Sequence, residues 1–147
     1  LVPTLTVREN VGLPFLISRQ ANDDADARVQ NILERVGIAR RADHRPYQLS
    51  GGEMQLASIA RALAHQPAAI LADEPTGNVD DHIAMRLMHL FEELNKIGTT
   101  VVVATHNKAL VTGFAHPRLH LANGELSVLK AGTPFAENDD DDAEGLR

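Results

Sequence analysis

A chain of 147 residues with 44% hydrophobic residues is long enough for one domain with a modest core. The absence of cysteine excludes disulfides and thiolate metal sites, and a net charge of −6 argues against a nucleic-acid binder. No apolar stretch reaches the roughly 20 residues of a membrane-spanning helix. No signal peptide is visible, and because residue 1 is Leu rather than Met, residues upstream of Leu1 are expected.

Leu5 to Gln20 is mixed in pattern. Thr6-Val7-Arg8-Glu9-Asn10-Val11 reads as the start of a short helix capped by Thr4 or Thr6, with Pro14 in or near a kink. A clear helix begins at Asn22, where Asn22, Asp23 and Asp24 are cap candidates. Val29, Ile32, Leu33 and Val36 fall at helical spacing, and Gly37 is placed to end the run. Arg40 to Gln48 is a polar connector broken by Pro46. Leu49-Ser50-Gly51-Gly52 then leads into a helix from Glu53 to about His65, with Leu56, Ile59, Ala60 and Leu63 on its buried face and Gln66-Pro67 after it.

Ala69-Ile70-Leu71-Ala72 reads as a buried parallel strand stopping at Asp73-Glu74-Pro75. Asp80 or Asp81 caps the next helix, whose inner face is Ile83, Leu87, Leu90, Phe91 and Leu94. Gly98 ends it, and Thr100 to Ala104 forms a second buried strand running into Thr105-His106-Asn107. This order implies a right-handed βαβ unit. Leu119 to Leu121 and Leu126 to Leu129 flank Asn123-Gly124, a type I′ hairpin signal. Residues 131–147, with the acidic run Asp139 to Asp142, read as a disordered tail.

The chemistry concentrates in three places. An Asp-Glu pair after a buried strand lies where α/β sheets bind ligands, so Asp73 suits Mg²⁺ and Glu74 suits polarising a water; equally, both acids could simply cap a turn before Pro75. His106 stands at the end of the neighbouring strand, where it is either structural or a donor to phosphate. Ser50-Gly51-Gly52 offers a helix N-terminus with close backbone access, which suits an anion; an ordinary Ser-capped helix reads the same way in isolation. A histidine metal site is rejected, because His82 and His89 share a helix face but stand two turns apart, about 10 Å.

Together these pieces resemble the ATP-binding-cassette family from about Leu5 to Leu129. Leu49-Ser50-Gly51-Gly52-Glu53-Met54-Gln55 is similar to its signature motif, and Arg61-Ala62-Leu63 to the continuation of that helix. Ile70-Leu71-Ala72-Asp73-Glu74-Pro75 is similar to Walker B with the catalytic Glu, Gly77-Asn78-Val79-Asp80 to the D-loop, and Thr105-His106 to the switch histidine. Thr6 to Val11 and Glu74 to Asn78 resemble the lipoprotein-release, macrolide-export and cell-division branch.

The resemblance implies an α/β fold: the C-terminal portion of a P-loop NTPase of ABC type, with a helical subdomain and part of a RecA-like parallel-sheet core. Residues 1–66 would be the helical subdomain and signature helix, and 67–130 the core. It implies ATP and Mg²⁺ as ligands. Asp73 would hold the metal, Glu74 would act as general base and His106 would contact the γ-phosphate. Ser50, Gly51, Gly52 and Glu53 would face the ATP of a second ATPase subunit in a head-to-tail dimer, and Asp80 would communicate across it. An integral membrane permease would be the other partner, and the protein would sit in the cytoplasm on the inner face of the membrane.

Two departures stand out. Leu56 occupies a position where the family usually has Arg, and no G-x-x-x-x-G-K-[ST] phosphate loop is present. The family's Q-loop glutamine would fall just before Leu1. A non-catalytic remnant that only binds partner subunits, and a signature-bearing ATPase outside transport, are the competing readings.

Overall fold

The computed structural model describes residues 1–17 and 23–133, in two compact units, 1–105 and 106–147. In the first unit α1 runs Val7–Ile17. Its start is a reciprocal cap: Glu9 N–H donates to Thr6 Oγ1 (3.2 Å), while Thr6 N–H donates to Glu9 Oε2 (2.7 Å). Thr6 rather than Thr4 is therefore the cap. The helix continues through Pro14 to Ile17, farther than the short helix expected. Asn10 is wholly buried on it and donates to the Val2, Leu5 and Thr6 carbonyls.

Helix α2 spans Asp23–Val36; the cap candidate Asn22 lies outside the described residues. Gly37, at φ +84°, ends α2. Ile38 N–H reaches back to the Leu33 carbonyl (2.9 Å) and Gly37 N–H to that of Glu34 (3.1 Å), the paired bonds of a Schellman terminus. Short 3₁₀ turns at Ala39–Arg41 and Pro46–Gln48 shape the connector. Helix α3 covers Gly51–Leu63.

Strand β1, Ala69–Asp73, pairs in parallel with β2, Thr100–Ala104, in the register Ala69↔Thr100 to Asp73↔Ala104. Between them α4 runs Asp81–Lys96. Asp80 caps it, its Oδ1 accepting from Ile83 N–H at 2.9 Å. One core joins Val7, Val11 and Phe15 of α1, Val29 and Leu33 of α2, Leu56, Ala60 and Leu63 of α3, Ile70 of β1, and Leu87 and Phe91 of α4.

The strands are less buried than their apolar sequence suggests. Ile70, Ala72, Val101 and Val103 point toward this core, but Leu71 is 83% and Val102 43% exposed. Helices cover only one face of the pair among the described residues, so a run that reads as buried on both sides is covered on one. On α3 and α4 a similar shift makes Ala57 and Ala84 buried, while Ile59 and Ile83 are only half-buried.

In the second unit Asn107 caps an unanticipated helix α5, Lys108–Gly113, its Oδ1 accepting from Leu110 N–H at 3.2 Å. Strands β3, Arg118–Ala122, and β4, Glu125–Leu129, form an antiparallel hairpin. Asn123 and Gly124 have φ of 51° and 79°, as the expected type I′ turn requires. The tail assigned to disorder lies outside the described residues from 134 onward.

Candidate functional site

The Ser50 loop is a built helix start. Ser50 is extended (φ −67°, ψ 165°), and its Oγ accepts from Glu53 N–H at 3.2 Å. The Glu53 carboxylate returns, accepting from Ser50 N–H at 2.9 Å through Oε2 and from Arg41 Nε at 2.7 Å through Oε1. Those bonds, the Ser50 amide first and then Arg41, hold the Glu53 carboxyl below the usual glutamate range. The Ser50 hydroxyl lies beside the same carboxylate and helps to lower it. No acceptor for the Gly51 and Gly52 amides occurs among the described residues, and both face the positive end of a 13-residue helix.

Glycine is required at position 52 for a steric reason. A Cβ there would lie 2.5 Å from the Asn78 carbonyl oxygen, whereas one on Gly51 would meet nothing within 4 Å. The loop therefore packs its second glycine against Asn78 of the same chain and leaves the first one open.

Glu74 sits just past β1 in the left-handed region, with φ +41°. For a non-glycine residue this is a strained backbone, of the kind that persists where neighbours hold it. Four bonds do so. Glu74 N–H donates to the Ala104 carbonyl (2.9 Å), and the Glu74 carbonyl accepts from Gly77 N–H (3.2 Å) and Gln55 Nε2 (3.0 Å). Thr105 Oγ1 donates to the carboxylate at 3.2 Å. Asp73, the preceding residue, is exposed, and its carboxylate meets no partner among the described residues.

These arrangements sort the predicted residues. Ser50, Gly51, Gly52 and Glu53 form one element, and α3 brings it against the turn bearing Glu74 and Asn78. Asp80 is occupied as a helix cap. His106 is exposed and opens the second unit. Gln55 and Thr105 were legible only as motif members; nothing in their spacing announced that both would grip Glu74. No cluster of three or more His, Cys, Asp or Glu suited to a metal occurs among the described residues. A lone open carboxylate still fits Mg²⁺, which commonly takes one or two carboxylates and completes its shell with phosphate oxygens and water.

A parallel strand pair ending in Asp-Glu, beside a capped Ser-Gly-Gly helix start, defines a nucleotide-binding domain of ABC type. The chain belongs to the ABC transporter family, whose profile matches residues 1–77. It is 45% identical over 126 residues to the cell division ATP-binding protein FtsE of Haemophilus influenzae, covering 86% of this chain and 58% of that protein. It is 48% identical over 128 residues to the lipoprotein-releasing system ATP-binding protein LolD of Myxococcus xanthus, covering 86% and 57%. Among solved structures it matches the dimeric post-hydrolysis state of the ATP-binding cassette MJ0796 bound to ADP and Pi. The TM-score is 0.79 at 37% identity, over 88% of this chain and 58% of that one. The chain thus spans about half the length of the relatives it matches. No helix among the described residues is long and apolar enough to cross a membrane.

Proposed function

We propose that this chain supplies the signature face and the catalytic turn of an ATPase subunit that drives an ABC transporter, in the lipoprotein-release, macrolide-export and cell-division branch. The observation that carries this reading is the pinned, strained Glu74 turn packed against the open Ser50-Gly51-Gly52 helix start. Residues 1–66 act as helical subdomain and signature helix, and 67–130 as part of the core. The partners are a second ATPase subunit in head-to-tail arrangement and a membrane permease, which places the protein at the inner face of the membrane.

In this reading the Gly51 and Gly52 amides and the Ser50 hydroxyl donate to the γ-phosphate of ATP held by the second subunit. Glu53 belongs to the same ATP-facing loop and fixes it through Ser50 and Arg41. Asp73 holds Mg²⁺, which when bound neutralises charge on the phosphate oxygens. Glu74 accepts the proton of the attacking water, and Thr105 orients its carboxylate. His106 donates to the γ-phosphate, and Asp80 sets the helix start that carries the D-loop toward the partner.

Replacing Glu74 by Gln keeps the shape and removes the base. ATP hydrolysis by the protein expressed from its own gene, with its membrane partner, is expected to fall about 10²–10⁴-fold. Near-normal hydrolysis removes Glu74 from this role. The sequence holds no phosphate loop, so the 147-residue chain by itself is expected to bind ATP weakly. Calorimetry checks this, and tight binding by that chain contradicts it.

A further inference from the structure

We propose that Gln55 is a positioning residue for Glu74, tying the signature helix to the catalytic turn of the same chain. The inference rests on Glu74 as the general base and adds the group that holds it. Gln55 lies one turn into α3, on the helix that starts with the phosphate-facing glycines. Its Nε2 donates to the Glu74 carbonyl at 3.0 Å, across 19 residues of sequence. The amide orientation follows from that bond, because the reverse would set Oε1 against a carbonyl oxygen. In this orientation Oε1 is buried and has no hydrogen-bond partner among the described residues. A buried amide that leaves its own oxygen unpaired is normally disfavoured, so the bond made by the other end is what retains it.

The Glu74 carbonyl needs this hold. Its residue is in the left-handed region, and its other acceptor bond, from Gly77 N–H, is long at 3.2 Å. Without Nε2 the Glu74 carbonyl loses the shorter of these two bonds, and the turn that sets its carboxylate is held less firmly. Since Gly52 of the same helix abuts the Asn78 carbonyl, α3 meets the segment from Glu74 to Asn78 at two points. A shift of the helix start on meeting a partner's phosphate is thereby passed to Glu74.

The test compares Gln55→Met, which keeps size and removes the donor, with Gln55→Lys, which restores a donor. Hydrogen exchange of the Glu74 and Gly77 amides is read in the 147-residue chain. Hydrolysis is read in the protein expressed from its own gene, with Glu74→Gln as control. The expected result is faster exchange at both amides in Gln55→Met, together with a kcat lowered about 10–100-fold, the range for a catalytic group displaced by an ångström or less. KM for ATP stays unchanged, and Gln55→Lys recovers part of both losses. Unchanged exchange in Gln55→Met overturns the positioning role. Faster exchange with full kcat, while Glu74→Gln is inactive, overturns the link to catalysis. An active Glu74→Gln removes the general-base reading instead, and the exchange result then decides the positioning claim independently.

Discussion

A methyl group placed on Gly52 puts its carbon 2.5 Å from the Asn78 carbonyl oxygen and 3.3 Å from Val79 Cγ1, whereas on Gly51 it meets nothing within 4 Å. Ordinary contact begins at 3.4 Å, so Gly52→Ala must drive α3 and the Asn78 backbone apart by about 0.9 Å (3.4 − 2.5). Backbone yields less readily than a side-chain tip, and overpacking of this kind costs about 1–3 kcal/mol. Both glycines are in the first turn of α3, so the gain in helix propensity on replacement by Ala, up to about 1 kcal/mol, is common to both. The difference between the variants isolates the clash. Gly51→Ala is expected to match or exceed the parent in stability, and Gly52→Ala to fall about 1–3 kcal/mol below Gly51→Ala. With a urea slope of about 2 kcal/mol per molar, the two midpoints separate by roughly 0.5–1.5 M. Coincident midpoints, or a lower one for Gly51→Ala, refute the packing of this loop on Asn78.

Asn10→Leu keeps volume but strands the Leu5 carbonyl and the Val2 amide, which now donates to Asn10 Oδ1 at 2.6 Å, and leaves the Val2 and Thr6 carbonyls with their backbone bonds from Leu5 and residue 10. A loss of about 1–3 kcal/mol is expected in thermal or urea unfolding. Glu53→Gln is expected to cost about 0.5–1 kcal/mol at neutral pH, since Gln can still complete the cap without the charge. The folded Glu53 carboxyl titrates below its ordinary value of 4.5, so its contribution is present in full above that pH. It fades as pH falls through the lowered folded value, and urea curves of parent and variant, separated at pH 7, are expected to converge in strong acid. A separation that persists or widens there contradicts the assigned bonds.

Much of this was legible in the sequence because caps are local. Thr6 with Glu9, Ser50 with Glu53, Asp80 and Asn123-Gly124 each act within three residues, so the sequence narrows the first cap to Thr4 or Thr6 and the fourth helix's cap to Asp80 or Asp81, and marks Ser50 and the Asn-Gly turn directly. Strand pairing followed from two apolar runs linked by a helix. What spacing did not reveal is set by tertiary packing. The exposure of Leu71 and Val102 depends on which elements cover each sheet face, and apolar runs look alike whether one face or two are covered. Helix α5 is six residues long, too short for a clear periodic signal. Gln55 reaches Glu74 because α3 docks beside β1, a matter of helix placement that no residue near Gln55 encodes.

The bond from Glu74 N–H to the Ala104 carbonyl and that from Thr105 to the Glu74 carboxylate share a kinetic consequence. Each closes a loop of about the same size, the second spanning 31 residues and enclosing α4. For a loop of that length the closure entropy is about 3 kcal/mol, and the burial of Ile70, Leu87 and Phe91 in the shared core offsets much of it. Placing the carboxylate therefore demands no contact more distant along the chain than one β–α–β crossover. Every residue named in holding Glu74 has therefore been made once Thr105 is in the chain.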